Sequence, residues 1–336
     1  MFKLKEKLDL KQIESFLNGK LIGKSKNISN IGSLEDFNDE SIIFLKKNEK
    51  FFNEKKIYPG VIVTSETIHQ KIPKSHTFIL VTNPSLSMSK FLSLFKHISS
   101  SLKNSDTFNF KETTFEGNCL VGKNVVIGKG SKFGANTVIE DNVSIGQNAT
   151  IGNNVVIHHG SFIGDNVTIQ SGSIIGSEGF GNILNNSLEW VHIPHLGDVV
   201  IGNNVSIGSN SSIDRGTIGN TIISNGVIID NLVHIAHNVF IGENTAIAAK
   251  VGIAGSSKIG KRNMIGGMVG IINHITTVDD VTISPTSAVI RDIKKSGVYT
   301  GIMPTTEHNL WKRLATFISK LDKISSVFKN KGGKQL

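Results

Sequence analysis

From residue 115 onward, aliphatic residues return every six positions. One run opens at Phe115, Val121, Ile127, Phe133, Ile139, Ile145, Ile151, Ile157, Ile163, Ile169 and Ile175, and a short one at Ile201, Ile207 and Ile213. A longer run begins at Ile223 and restarts at every sixth residue to Val289; eleven of its twelve hexads open on Ile or Val, Thr277 being the exception. The second place is often small, as in Gly128, Gly146, Gly152 and Gly164, and the fourth is often Asn, as at 124, 136, 142, 148, 154 and 166. This pattern predicts a mainly β fold, a parallel β-helix in which each hexad supplies one short strand and a corner. Three hexads make a triangular coil of eighteen residues, stacked on the next at about 4.8 Å. The opener points inward, the small residue permits the corner, and Asn tolerates a left-handed backbone.

The register breaks after Ile175. Gly179-Phe180-Gly181 begins an excursion that runs through Trp190, His192 and His195 to Asp198, and a four-residue slip at Gly219–Ile222 precedes the long run. A loop leaving a regular solenoid either shapes a binding site or is a tolerated insertion.

The flanks carry other periods. Residues 1–100 read as a small α/β domain, with a helix around Leu8, Ile13, Phe16 and Leu17 and strands at 41–45, 61–63 and 78–81. Asn83 is an expected N-cap with Pro84 at the first helical position, and Met88, Phe91, Leu92, Phe95, Ile98 and Leu102 fall on one face of the helix that follows. Residues 101–112 form a polar linker and the solenoid fills 113–296. Over 304–330 an apolar stripe, Leu310, Leu314, Phe317, Ile318, Leu321, Ile324 and Phe328, predicts a terminal helix ahead of a frayed tail from Lys329.

Composition narrows the setting. Gly is abundant (34) and Pro scarce (6), which suits repeated turns. The single cysteine, Cys119, cannot form an internal disulfide and fits a reducing compartment. The charged N-terminal stretch is unlike a signal peptide and no apolar run is long enough for a bilayer, so the expected setting is cytoplasmic, without membrane insertion. The net charge of +9 suits an acidic partner, such as a nucleotide diphosphate or an acidic protein, or else a lysine-rich solvated surface. Basic residues do not interleave with aromatics as in a nucleic-acid module.

The eighteen-residue coil singles out Ile235-Ala236-His237-Asn238. One coil on from His237 lies Gly255, and one further lies Asn273, beside His274. Two histidines thus stand roughly 10 Å apart along the axis, with a glycine between them. A neutral imidazole accepts a proton from an attacking amine or hydroxyl, and a backbone N–H at Gly255 can stabilise an oxyanion. No side-chain nucleophile lies near, which points to direct transfer. A purely structural corner hydrogen bond for His237 is the alternative. His234 and His237 do not make a zinc site on this reading, because a catalytic zinc takes about three protein ligands and these two occupy hexad positions that point different ways. His69, His76, His97 and His308 read as isolated surface histidines.

Longer motifs add a resemblance. Ile175-Gly176-Ser177-Glu178-Gly179-Phe180-Gly181, Trp190 with Ile193-Pro194-His195-Leu196-Gly197, Ile213-Asp214-Arg215-Gly216 and Ile228-Ile229-Asp230-Asn231 leading into Ile235-Ala236-His237-Asn238 occur in this order. In these the chain resembles the UDP-3-O-(3-hydroxyacyl)glucosamine N-acyltransferases of lipid A biosynthesis. The resemblance implies a left-handed coil and a homotrimer. It implies transfer of a 3-hydroxyacyl chain from acyl carrier protein to the 2-amino group of a UDP-3-O-acyl-glucosamine, with no cofactor besides that co-substrate. His237 is then the general base, His274 assists, and Gly255 supplies the oxyanion amide, while Asn238 and Asn273 face substrate. The N-terminal domain would bind uridine through Phe44, Asn48 and Phe51, with Phe51 where the family has Tyr. The basic residues Lys312, Arg313, Lys320 and Lys323 of the terminal helix would face the carrier protein, and reversing their charge is expected to weaken its binding in a pull-down or titration. The rivals are a UDP-N-acetylglucosamine O-acyltransferase, a non-catalytic solenoid scaffold and a zinc-dependent hydratase.

Overall fold

The computed structural model describes the chain apart from residues 35, 47–59, 73–75, 99, 302–304, 319 and 321–336. The N-terminal part is a six-stranded mixed sheet. Its strands are β1 (Phe2–Asp9), β2 (Lys20–Ile22), β3 (Asn27–Ile31), β4 (Ser41–Phe44), β5 (Val61–Thr64) and β6 (Thr77–Leu80). They lie in the order β1-β3-β4-β5-β6-β2, with β3 to β6 parallel and both edges antiparallel. Helices α1 (Leu10–Leu17), α2 (Glu66–His69) and α3 (Pro84–Leu92) connect them. Asp9 caps α1 through the Lys11 amide, and Asn18 ends it at φ 49°. Asn83 caps α3 as expected, its Oδ1 accepting from the amides of Ser85 and Leu86 at 3.1 Å.

Several expectations need revision here. Residues 2–9, read from sequence only at Leu8 as part of a helix, form strand β1, which places Leu4 in the core between half-buried Phe2 and Leu8. Helix α3 stops at Leu92 and a 3₁₀ turn follows at Ser93–Phe95, so Ile98 stands 90 % exposed and Leu102 is on no helix. His76 is buried against Phe78, and His97 stacks on His159 with its Nε2 3.3 Å from Asp141, so neither is an isolated surface residue. The stretch taken as a polar linker closes the end of the solenoid. Lys103–Asn104 pairs antiparallel with Leu120–Val121, and Phe108 and Phe110 continue an aromatic stack through Phe115 to Phe133.

The hexads fold as their spacing predicts. Most openers are the second residue of a strand, Ile201, Ile223 and Ile283 being the third, and strands eighteen residues apart pair in parallel, Val126 with Ser144, His234 with Gly252 and Gly252 with Gly270. The strands form three sheets, of seven, ten and ten members. Pairing runs past the expected end at 296 to a last strand at Gly297–Tyr299. The fourth-place Asn residues at 124, 136, 142, 148, 154 and 166 all have φ between 56° and 59°. They also form a ladder, Asn124 Nδ2 donating to Asn142 Oδ1 at 3.1 Å and Asn148 to Asn166 at 3.1 Å. The core holds a second inward position that the hexad pattern did not reveal. The fifth-place residues Val143, Val155, Val167, Val205, Val227 and Val251 are as buried as the openers. Removing one opener opens a void that the stacked coils cannot collapse around. Ile151→Ala is expected to lower unfolding stability by about 2–5 kcal/mol, read from the denaturant midpoint.

The excursion pairs Asn182–Leu184 with Trp190–His192 as a hairpin. On either side of it the coils close again, Phe162 pairing with Val200 and Val199 with Thr221. Buried Arg215 clamps the return. Its Nε donates to the Gly197 carbonyl at 2.8 Å, and its Nη2 donates to the His159 carbonyl at 2.8 Å and to Asp198 Oδ1 at 3.0 Å. Ile193, Leu196 and Ile218 pack into the core of the N-terminal sheet, so the excursion joins that sheet to the coils. Among the described residues, no helix is long and apolar enough to cross a membrane. The terminal segment forms helix α4 (His308–Ile318), with Lys312 and Arg313 exposed. Leu321, Ile324 and Phe328 of the expected stripe, Lys323, and the tail from Lys329 lie outside the described residues.

Candidate active site

His237 sits two residues after the opener Ile235, at a corner of the coil. Its carbonyl accepts from the Ser256 amide at 3.0 Å, which fixes the backbone to the next coil. Asn238 follows at φ 59° and is held on three sides. Its amide donates to Thr221 Oγ1 at 2.8 Å, its Nδ2 donates to the Gly219 carbonyl at 2.9 Å, and its Oδ1 accepts from the Thr217 amide at 3.0 Å. The four-residue slip supplies Gly219 and Thr221, so the break in register builds the support for the histidine. Asn238 Oδ1 also lies 3.1 Å from His237 Nδ1, and Thr217 Oγ1 lies 3.4 Å away. An amide oxygen only accepts, so Nδ1 carries the proton and Nε2 keeps a lone pair.

That lone pair hangs over Gly255. A Cβ on Gly255 would sit 2.6 Å from both Cε1 and Nε2 of His237. The coil therefore needs glycine there because the imidazole occupies the space, not because of a left-handed backbone. A second property of Gly255 appears when it is set against the same place in other coils. At several corners the amide two residues after the opener donates to an Asx oxygen one coil on, as Lys123 does to Asp141, Gln147 to Asp165 and Lys261 to Asp279, at 2.7–2.8 Å. At Gly255 the residue one coil on is Asn273. Among the described residues no hydrogen bond engages the Gly255 amide, while its carbonyl accepts from the His274 amide at 3.1 Å. The amide is thus left over by the ladder at the point where the base sits.

A cavity of about 630 Å³ opens on this corner, lined by His237, Gly255, Asn273 and His274, by the small residues Gly252, Gly270 and Ala288, and by Phe180 of the excursion. The predicted juxtaposition of His237, Gly255, Asn273 and His274 is therefore present, while Asn238 acts from behind, on His237. His234 lines the same cavity although its hexad position differs from that of His237. Phe44 lies elsewhere, half-buried against Phe91 with its ring centroid 5.7 Å away. Asn48 and Phe51 lie outside the described residues.

Electrostatics favour a neutral base. Burial pushes the proton affinity of His237 below that of a free imidazole. The bond to Asn238 and the charge of Asp214 oppose that push, and His274 and Lys46 add to it. Asp214 is buried beneath, with Oδ1 2.8 Å from Ser177 Oγ, and burial pushes its carboxyl up, against the pull of Ser177, His234 and His237. The sequence reading gave Asp214, Thr217, Phe180 and His195 no role. Asp214 and His195 were visible only as motif letters, and Phe180 only as part of a break in period. Replacing Asn238 by Asp would set a carboxylate against Nδ1. An adjacent anion favours the imidazolium, so the neutral form would appear only at higher pH. The acid limb of any His237-dependent rate is expected to move upward in Asn238→Asp, as a pH–rate profile would record.

Comparison with known proteins finds likenesses of sequence and of fold. A family model for the bacterial transferase hexapeptide (six repeats) matches residues 118–153 and 142–177. The chain is similar to UDP-3-O-acylglucosamine N-acyltransferases: it is 43 % identical over 148 residues to that of Bordetella avium and 34 % identical over 148 residues to that of Bordetella pertussis. Each match takes in 43 % of this chain and 41 % of the relative, so the chain spans about two-fifths of the length of the curated relatives it matches. A solved structure of LpxA from Acinetobacter baumannii superposes with a TM-score of 0.50 at 23 % identity, covering 56 % of this chain and 71 % of that one, a likeness of fold alone.

Proposed function

We propose that the protein is an N-acyltransferase of lipid A biosynthesis. It moves a 3-hydroxyacyl chain from acyl carrier protein to the 2-amino group of UDP-3-O-(3-hydroxyacyl)-glucosamine, in the cytoplasm and as a homotrimer. The observation that carries the reading is His237 Nε2, 2.6 Å from where a Cβ on Gly255 would sit, beside a Gly255 amide that no hydrogen bond engages among the described residues, inside a cavity. The similarity to UDP-3-O-acylglucosamine N-acyltransferases supports the choice of substrates.

The chemistry follows from the two groups. The sugar amine attacks the thioester carbonyl while His237 Nε2 takes its proton, leaving Nδ1–H bonded to Asn238. Negative charge gathers on the former carbonyl oxygen, where the Gly255 N–H donates to it. Collapse breaks the carbon–sulfur bond, and the imidazolium returns its proton to the departing thiolate of the carrier. The products are the amide and the free thiol. His274 stands on the wall next to Asn273, on the donor side of the base. The smooth wall of Gly252, Gly270 and Ala288 leaves room for an extended chain. Phe44, Asn48 and Phe51 are assigned to the uridine by resemblance.

The reading is tested by offering 3-hydroxyacyl carrier protein together with either a UDP-3-O-acyl-glucosamine bearing a free amine or UDP-N-acetylglucosamine. Amide formation on the first is expected. Ester formation on the second alone would assign the rival O-acyltransferase activity, and transfer to neither would leave a scaffold.

A further inference from the structure

A second histidine stands behind the base. His195, on the excursion, is 3 % exposed. Its Nδ1 lies 3.0 Å from the Ile193 carbonyl, which only accepts, so Nδ1 carries the proton and Nε2 keeps a lone pair. Nε2 is buried and has no hydrogen-bond partner among the described residues. Nε2 and the Cβ of His237 both lie 3.1 Å from the point a Cβ on Gly179 would occupy, and Asp214 Oδ2 lies 3.2 Å from it. The two rings meet edge to face, centroids 5.1 Å apart at 74°. The loop that carries His195 is tied to the same turn that holds the base, because the Leu196 amide donates to the Thr217 carbonyl at 2.8 Å. Buried polar atoms are rarely left unpaired without a reason.

We propose that His195 is a positioning residue that acts through His237, holding its ring over Gly255 and presenting a fixed acceptor lone pair that stabilises the imidazolium His237 becomes on taking a proton. The inference rests on the acyltransferase reading for its catalytic meaning, though not for its physical content. In a site screened from water, a lone pair aimed at a charge counts for more than it does in solvent. Other groups also face the base: Asp214 from beneath, His274 and His234 across the cavity, and Lys46 just after β4. Facing His195 itself are His192, whose ring centroid is 5.9 Å away, and Glu178, which bonds His192 Nε2 at 3.0 Å. Burial and the charge of His237 hold His195 down to about 4, so it is neutral near pH 7.

The test follows the ring signals of His237 by NMR in the full chain across a pH titration, for wild type, His195→Phe and His195→Gln. Phe keeps a ring but no lone pair; Gln offers an amide oxygen. His237 is expected to titrate lower in His195→Phe by about half a unit or more, a roughly threefold loss of proton affinity, and close to wild type in His195→Gln. In the acyl-transfer assay the fall should appear in kcat and not in KM. Equal titration in all three proteins overturns the proposal, and so does a shift in Gln as large as in Phe. Should either variant fail to fold, wild type alone decides: the nitrogen-15 signal of His195 Nε2 should be that of an unprotonated nitrogen and should move as His237 protonates, and an unresponsive signal overturns the idea. A protein inert toward both sugar acceptors that still shows this coupling would sink the acyltransferase reading alone. An active enzyme with an unmoved titration would sink this inference alone.

Discussion

His237→Ala is expected to lower kcat for acyl transfer by about 10²–10⁴-fold, the range for removing a positioned general base, with KM and fold close to wild type. The reasons are local. Among the described residues the imidazole nitrogens hydrogen-bond only with Asn238 and Thr217, and the coil at this corner is held by backbone bonds that alanine keeps. The Gly255 amide also survives the change, so a residue of activity from oxyanion stabilisation and substrate placement should remain. An unchanged kcat would mean that His237 only fills its corner. A collapse in thermal stability would point the same way, because it would show that the ring supports the coil.

Gly255→Ala should be nearly as damaging, for a different reason. The added methyl would meet Cε1 and Nε2 of His237 at 2.6 Å and Cδ2 at 3.1 Å. The glycine backbone cannot easily retreat, because its carbonyl is bonded to the His274 amide. The ring must therefore swing away from Gly255. Displacement of a catalytic group by about 1 Å costs on the order of 10²-fold, so kcat should fall by at least that while the amide itself remains. Since no left-handed backbone is involved, the midpoint of thermal unfolding should move little. The double variant Gly255→Ala with His237→Ala should be scarcely worse than His237→Ala alone, because the methyl acts only by moving the ring. Additive losses in that cycle would show that Gly255 matters for some other contact.

The period of six carried most of the architecture. Ile235, Ile253 and Ile271 announced their own burial, and adding eighteen to 237 places Gly255 and Asn273 beside the base from the spacing alone. What the period could not carry is equally specific. Val143, Val155 and Val167 are inward at a place where the pattern tolerates many residues, so the second core row is legible only once the coil closes. Phe2 to Leu8 alternate as a strand does, but Glu6 interrupts the apolar face and the neighbouring helix drew Leu8 into its period. His195 lies on the excursion, and Asp214 and Thr217 on the coil that the slip lengthens, so no fixed spacing links them to His237. The Asx ladder of the corners was readable as Asn at a fixed place. Its gap at Gly255 was not, because an unengaged amide is a property of two coils taken together.

The central claim is that an amine is acylated between His237 Nε2 and the Gly255 amide. A crystal structure with the acylated amino-sugar product bound tests it most directly. The expected result is a new amide whose carbonyl oxygen lies within hydrogen-bond distance of the Gly255 nitrogen and whose nitrogen faces His237 Nε2. A product seated elsewhere, with its amide touching neither residue, would contradict the account.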